Sequence, residues 1–389
     1  MADFEVIIVG ARVAGASLAI RLGQMGRSVL VLEKASFPSD TLSTHQLSHQ
    51  HYLEALGVKE KVKELGLREI TRMRTYIGRS FTDGEREGTT VIPGRASFDA
   101  LLMEKATSYE CVSFQEEAQV RRLVYEGDAV TGVETVDKKG KLSVYTAGLV
   151  VGADGRHSTV AKEANARMYD YEPAERPVFY GYYKGMTPLP EPTVEIFLDE
   201  GRIGFVFPMQ EGLDCLGLEI HSHEFKSFAK NPQESFEKVF RQMYGMEARM
   251  EGAVLEGKVV GTPGVPNFFR QPYGKGWALI GDAAHAKDPS TGLGMNDAIW
   301  QALLLAEVIQ KTTHGASFEE EMEAYHKERD EVLKPSYDFT LDYIRSLRSW
   351  TEDELEAFRK WASNPLLVKK QVPVFADMFR ERKEQETDG

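Results

Sequence analysis

Residues 4–10, FEVIIVG, are apolar almost without interruption and stop at a glycine, the pattern of a parallel strand buried on both faces. Small and apolar side chains recur at helical spacing over 13–24, and Val29–Leu32 form a second apolar run. Together they predict a βαβ unit of about thirty residues. From Tyr76 to Val91 the chain turns glycine-rich and charged, which reads as an excursion from this first domain. Pro93-Gly94-Arg95 leads back into a helix over 97–108. Strand-like segments fill 112–150, with Asp137-Lys138-Lys139-Gly140 as a hairpin turn, and LVVGADG (149–155) is a strand that ends in a glycine turn.

Between 176 and 221 the pattern changes. VFYGYYKGM, TVEIFL, RIGFVFPM and LDCLGLEI are rich in aromatic and β-branched residues and are separated by Gly, Pro and Asp. They predict a mostly antiparallel sheet that forms a second domain. Asn231-Pro232 opens a helix to 244, a strand follows at 277–281, and a helix spans 294–311. The capping boxes Ser317…Glu320 and Thr351…Glu354 start charged helices over 318–334 and 351–362. No internal repeat is present. The expected fold is α/β: a Rossmann-type parallel-sheet domain at 1–75, 93–175 and 266–335, an inserted substrate domain at 76–92 and 176–265, and a helical C-terminal region at 336–389.

Within the βαβ unit, VGARVAG almost spells the dinucleotide fingerprint G-x-G-x-x-G. Gly10 and Gly15 stand where they should, Val13 and Ala14 open the helix, and Arg12 takes the place of the glycine that lets a backbone approach a pyrophosphate. We expect Arg12 to point away from the pyrophosphate or to add charge beside it. Glu33, 18 positions after Gly15 and followed by Lys34, ends the second strand, where a carboxylate can accept hydrogen bonds from ribose hydroxyls. Its other reading is a solvated strand-end glutamate. A second motif, GWALIGDAAHAKDPSTGLGMNDAI, delivers Asp282 from a strand and runs through a loop into a helix near Gly294. Free N–H groups at that helix start suit an anion, and Gly292 and Gly294 allow close approach.

The GDAAH…P..G.GMN..I pattern resembles the second FAD motif of the flavoprotein monooxygenases typified by para-hydroxybenzoate hydroxylase. Gly152-Ala153-Asp154-Gly155-Arg156 resembles the D-G motif of the same family. The resemblance runs from about residue 4 to 330, is thin over 176–265 and is absent from the tail. It implies a bound FAD, with Asp282 on the ribityl chain and Pro289, Gly292, Gly294, Met295 and Asn296 near the flavin ring. It also implies Asp154 and Gly155 serving FAD and the reductant, Arg95 on the pyrophosphate, and the Val120 backbone at the adenine. The implied activity is an NADH- or NADPH-driven single-component monooxygenation through a flavin C4a-hydroperoxide, with molecular oxygen and a small organic substrate as partners. FPSDTLSTHQL and GFVFP resemble segments of the geranylgeranyl reductase-like branch, which keeps a C=C reductase as the alternative and makes Thr44 and His45 candidates beside the flavin. A third reading is a flavin-binding interaction module that has lost catalysis.

Bulk properties narrow these readings. The chain carries 47 Lys and Arg against 60 Asp and Glu, a net charge of −13, which argues against broad nucleic-acid binding. Two distant cysteines fit a reducing cytoplasm, and no run approaches the about 18 apolar residues of a membrane span. No second G-x-G-x-x-G provides a nicotinamide domain, so the reductant must bind transiently. The W-x-W-x-I-P signature of flavin-dependent halogenases is missing, which lowers that reading. His45, His49 and His51 lack the companions of a metal site, so no metal is expected. His45 and His285 are candidate proton relays, and Tyr182, Phe205 and Phe207 are candidates to line a flat apolar pocket. A monomer or homodimer is expected.

Overall fold

A computed structural model of the chain describes residues 2–363 other than 42, 44 and 211. Two compact units emerge. The first takes the chain up to Leu65, then Pro93–Pro173 and Pro266–Tyr337; the second takes Gly66–Ile92, Ala174–Val265 and the chain from Asp338.

The first unit is built on β1 (Phe4–Val9), β2 (Val29–Leu32), β3 (Val112–Gln115), β4 (Leu142–Gly152) and β5 (Trp277–Leu279). All pair in parallel, in the order β5-β4-β1-β2-β3. β2 is buried along its whole length, as its uninterrupted apolar sequence requires. Strands Gln119–Glu126 and Ala129–Val136 return antiparallel onto the first half of β4, and Asp137 ties their last turn by accepting from the Lys139 and Lys141 N–H groups. Against the sheet lie α1 (Val13–Gln24), α2 (Arg95–Thr107) and α3 (Gly294–Thr313), with α1 touching both α2 and α3.

The second unit holds a seven-stranded sheet in the order Val254–Thr262, Val178–Lys184, Leu213–Glu219, Arg202–Pro208, Thr193–Asp199, Ile70–Ile77, Ser80–Thr90. Every pairing is antiparallel except that of Thr193–Asp199 with Ile70–Ile77. The excursion that the glycines place at Tyr76 opens earlier, because the strand from Ile70 pairs in register with residues 193–198 and belongs to this sheet. Strand alternation separates two cores. Phe179, Phe197 and Val206 pack with Phe236 and Phe240 of helix Pro232–Gln242, while Tyr180, Phe205 and Phe207 pack with Leu347 and Phe358.

Two helix ends differ from the sequence pattern. α2 begins at Arg95, since Gly94 and not a later residue is its N-cap. The helix expected to stop at 334 runs from Phe318 to Ser346 through Pro335. Leu333, Tyr337, Leu341 and Ile344 keep a buried helical period across the proline, and that burial outweighs the lost hydrogen bond.

Inside the second unit Glu195, 1% exposed, accepts from Arg249 Nη1 and Nη2 at 2.7 and 2.8 Å and from Tyr76 Oη at 2.9 Å. A carboxylate so buried depends on its cation. Arg249→Met should cost about 3–5 kcal/mol in a urea denaturation series. A loss below about 1 kcal/mol would mean that Glu195 accommodates without its partner.

Candidate functional site

The sheet order makes β2, β1, β4 and β5 immediate neighbours, so turns far apart in sequence leave one edge together. They are Gly10–Gly15 after β1, Glu33 and Lys34 after β2, Ala153–Gly155 after β4, and Gly281–Asp282 after β5. Backbone bonds lock the edge: Gly10 N donates to Leu32 O (2.8 Å), Ala153 N to Val9 O (2.8 Å) and Ile280 N to Gly152 O (3.0 Å). From β1 the chain crosses to β2 on one side while β4 lies on the other, and ligands of open α/β sheets bind outside the carboxyl ends at such a switch point.

The two surviving fingerprint glycines answer a steric demand. A Cβ on Gly15 would stand 1.9 Å from the Gly10 carbonyl oxygen, and one on Gly10, at φ +103°, would stand 2.4 Å from that of Ala153. Position 12 carries no such demand. Arg12 is the N-cap of α1 at φ −82°, ψ −169°, extended backbone open to any residue. Its guanidinium is tied down: Nη1 donates to Asp99 Oδ2 (3.0 Å) and Ser39 O (3.2 Å), and Nη2 to Ser39 Oγ (3.2 Å) and Asp40 O (3.2 Å). Asp99, fully buried, also accepts from Arg95 Nε (3.1 Å) and Nη2 (3.0 Å). Asp99 escapes sequence reasoning, although its place one helical turn after Arg95 is the signal that could have found it.

Glu33 is buried and accepts from the Ala11 and Ala35 N–H groups at 3.0 and 2.9 Å, so it braces the glycine turn from the end of β2; Lys34 beside it is exposed. The Glu33 carbonyl accepts from Ala118 N (2.9 Å), which brings the start of the Val120 strand to the same edge. Asp154 accepts from the Thr159 and Val160 N–H groups through Oδ2, while Oδ1 is buried with no partner among the described residues. Burial raises its pKa. Asp282 remains exposed to solvent, yet protein crowds it closely enough to raise its pKa, with Arg156 and Arg95 pulling the other way. An exposed carboxyl hemmed in by protein lies in a recess. A Cβ on the preceding Gly281, at φ +59°, would stand 2.9 Å from Ala14 of α1 and 3.8 Å from Ala298 of α3, so the first turns of both helices, the positive ends of their dipoles, come close together there.

The loop from 285 to 296 is held from below. Lys287, its side chain 4% exposed, pairs with Asp297 Oδ2 at 2.8 Å and donates to Ser336 Oγ at 2.8 Å, a buried cation that the sequence motif gave no reason to single out. Pro289 starts a single 3-10 turn capped by Asp288, and Gly292 lies at φ +68°, the left-handed region that favours glycine, with Gln46 Oε1 2.5 Å from where a Cβ would stand. A Cβ on Gly294 would meet nothing within 4 Å, which leaves room in front of α3. Met295 is buried, and Asn296 accepts from the Ser48 and His49 N–H groups at 3.3 and 3.2 Å, with its Nδ2 buried and unpartnered among the described residues.

His45 is fully buried at φ +56°, its Nδ1 3.0 Å from the Pro93 carbonyl, and burial beside Arg95 lowers its pKa to about 3. His285 packs at tilted angles against Phe269 and Tyr337, and burial, with Lys287 and Arg329 near, drops its pKa well below the usual value. Thr44 lies outside the described residues. His49 and His51 pack on Tyr52, apart from the His45–Pro93 contact, and no metal-binding group of three His, Cys, Asp or Glu occurs among the described residues. In the second unit Phe205 and Phe207 stack 5.4 Å apart and are buried in its core, with Tyr182 half-buried at the margin.

A flavin dinucleotide fits this edge: two helix starts face one recess, an open cradle lies before Gly294, and Asp154 Oδ1 and Asn296 Nδ2 hold unspent hydrogen-bonding capacity. The sequence profile of the FAD binding domain family matches residues 3–340. Digeranylgeranylglycerophospholipid reductase 2 of Methanopyrus kandleri is 26% identical over 369 residues, spanning 91% of this chain and 89% of that protein. Tryptophan 2-halogenase of Chondromyces crocatus is 26% identical, over 80% of this chain and 62% of its own. The FAD-dependent monooxygenase olcE of Penicillium canescens is 27% identical, over 79% and 71%. Among solved structures, the flavin-dependent brominase Bmp2 superposes with a TM-score of 0.82 at 20% identity, covering 99% of both chains. PqsL of Pseudomonas aeruginosa, in complex with 2-aminobenzoylacetate, gives 0.77 at 23% identity, covering 88% of this chain and 96% of that one. At these identities the superpositions speak to the fold.

The buried His45 makes a testable difference with pH. Its folded pKa of about 3 lies below the unfolded 6.5, so its contribution is present above 6.5 and is lost as pH falls toward 3. His45→Asn removes that proton uptake and tolerates the positive φ. Urea midpoints at about pH 7.5 and about pH 5 should fall less for the variant than for the parent chain. Equal falls would show that His45 does not titrate on unfolding.

Proposed function

The chain belongs to the FAD binding domain family and is an FAD-dependent oxidoreductase, and on that premise we propose that it is an NAD(P)H-driven single-component monooxygenase. The reaction would put one atom of O2 into a small apolar or aromatic substrate and reduce the other to water with two electrons from the nicotinamide. Bound FAD supplies the redox chemistry; the protein supplies position, dryness and electrostatics. The observation that carries the reading is the meeting of four strand-end turns and two helix starts on one recess.

In this reading Glu33 takes the adenosine ribose while bracing the turn of β1, and the Val120 strand borders the adenine. Arg95 and the start of α1 take the diphosphate, and Asp282 takes the polyol chain. The Pro289–Asn296 loop borders the flavin ring, held in place by the Lys287–Asp297 pair. Asp154 and Gly155 lie where FAD and a transient nicotinamide would both pass, and Tyr182 remains the candidate on the substrate side. Burial lowers the pKa of both His45 and His285, so neither is held as an imidazolium at neutral pH. The reductase is the second reading, supported by a relative of that name spanning nine-tenths of the chain, 91%. Relatives named as halogenases point to a third outcome, against which the missing W-x-W-x-I-P weighs. No helix among the described residues is long and apolar enough to cross a membrane, and we place the enzyme in the cytoplasm as a monomer or homodimer.

Two measurements test this. Asp282→Ala should weaken FAD binding about tenfold or more, the value of a hydrogen bond to a charged group, as read by flavin fluorescence on reconstitution. Anaerobic stopped-flow reduction by NADPH or NADH, followed by oxygenated buffer, should give a spectral transient before the oxidised absorbance returns. Nicotinamide reduction without that transient, together with consumption of an alkene acceptor under anaerobic conditions, would replace the monooxygenase with the reductase.

A further inference from the structure

We propose that Arg12, Asp99 and Arg95 form a single positioning unit: Asp99 aims Arg95 at the cofactor diphosphate, and Arg12 straps the segment after β2 to the start of α1. The proposal rests on the FAD reading above.

The starting point is the charge count around a fully buried carboxylate. Asp99 Oδ2 is shared by Arg12 Nη1 and Arg95 Nη2, both at 3.0 Å, and Oδ1 takes Arg95 Nε at 3.1 Å. One guanidinium is enough to neutralise a buried carboxylate, so the second brings a surplus positive charge to the edge where the dinucleotide would lie. The two arginines divide the work. Both Nη atoms of Arg12 are engaged, on Asp99, Ser39 and Asp40, and its guanidinium lies 6.0 Å from the Phe37 ring centre. Those bonds spend the end of its fork, although its side chain stays 28% exposed. Arg95 uses Nε and Nη2 on Asp99, and its Nη1 has no hydrogen-bond partner among the described residues. Its charge is felt both by Asp282 in the recess and by His45. Arg95 therefore presents the surplus charge, with its plane set by Asp99, and two fixed bonds on one side suit a guanidinium to bidentate work.

The strap has a second anchor. His45 meets the carbonyl of Pro93, two residues before Arg95. The segment leaving β2 is thus held at residues 39–40 by Arg12 and at residue 45 by the chain that starts α2. A glycine at position 12 would complete the dinucleotide fingerprint and would remove the first of these anchors. The structure thereby turns the fingerprint's usual expectation around: restoring the glycine should harm cofactor binding.

The test compares Arg12→Gly, Arg12→Lys, Asp99→Asn and the Arg12→Gly/Asp99→Asn double variant. FAD dissociation constants would be read by fluorescence on reconstitution of the apoprotein, and amide hydrogen exchange followed over residues 36–46. We expect Arg12→Gly to weaken FAD tenfold or more and to deprotect that segment. Arg12→Lys, which keeps the charge without the fork, should fall between it and the parent chain. The double variant should lose less than the product of the single losses, because both act through one carboxylate. Thermal melts identify any variant that fails to fold, and Arg12→Lys then carries the comparison. Unchanged or tighter FAD binding by Arg12→Gly, or multiplicative losses in the double variant, would overturn the proposal. A parent chain that takes up no FAD would instead overturn the function reading.

Discussion

The start of α1 crosses the ends of β1 and β4 so closely that positions 10 and 15 have no room for a side chain. Everything at the candidate site hangs on that crossing. It sets α1 with its free N–H groups over the strand ends, and the Gly281 turn brings α3 to the same point through Ala14 and Ala298. Close packing of backbone on backbone tolerates no added methyl group, which is why these glycines act as structural requirements first. A ligand approaching two helix starts then benefits from geometry that the packing alone imposes.

Charge is managed on the same edge with equal economy. Glu33 spends both oxygens on backbone N–H groups of the turns it joins, Asp99 holds two arginines, and Lys287 is buried against Asp297 and Ser336. Each pair fixes a loop whose position decides what the recess can take. The histidines behave differently: burial keeps His45 and His285 neutral, so they order their surroundings through packing and through the Pro93 contact. The net effect is an edge whose paired groups brace loops, while Asp282 stays exposed and Arg95 bonds Asp99 through Nε and Nη2 alone. The second unit follows its own logic, with two apolar cores on the two faces of one sheet and the Glu195–Arg249 pair locking a short helical turn to it.

Much of this was legible in the residues. The short apolar runs of β1 and β2 and the aromatic and β-branched segments of 178–219 favour strands, because they are too short for buried helices and rich in residues that suit a pleated sheet. The Gly10 turn and the Asp282 strand end suit phosphate and polyol by their own chemistry, and the resemblance of the Asp154 and Asp282 motifs to the flavoprotein monooxygenases pointed to a flavin. Where the pattern was incomplete the residues misled in detail. Pro335 reads as a stop until the buried period on either side of it is seen, and the strand from Ile70 shows no sign in sequence of its partner at 193–198.

What the tertiary structure alone decided is who meets whom. Sequence carries local demands: a glycine for a positive φ, a cap for a helix, an apolar residue for a face. It carries no record that β4 would lie beside β1 and β5 beside β4, and so none that turns more than a hundred residues apart share one recess. The same holds for Arg12. In sequence it is a defect in a fingerprint, since the motif describes only the backbone of its own turn. In the fold its guanidinium reaches a buried carboxylate on α2 and two carbonyls after β2, because side-chain hydrogen bonds are set by distance in space, which only the packing of the whole unit supplies.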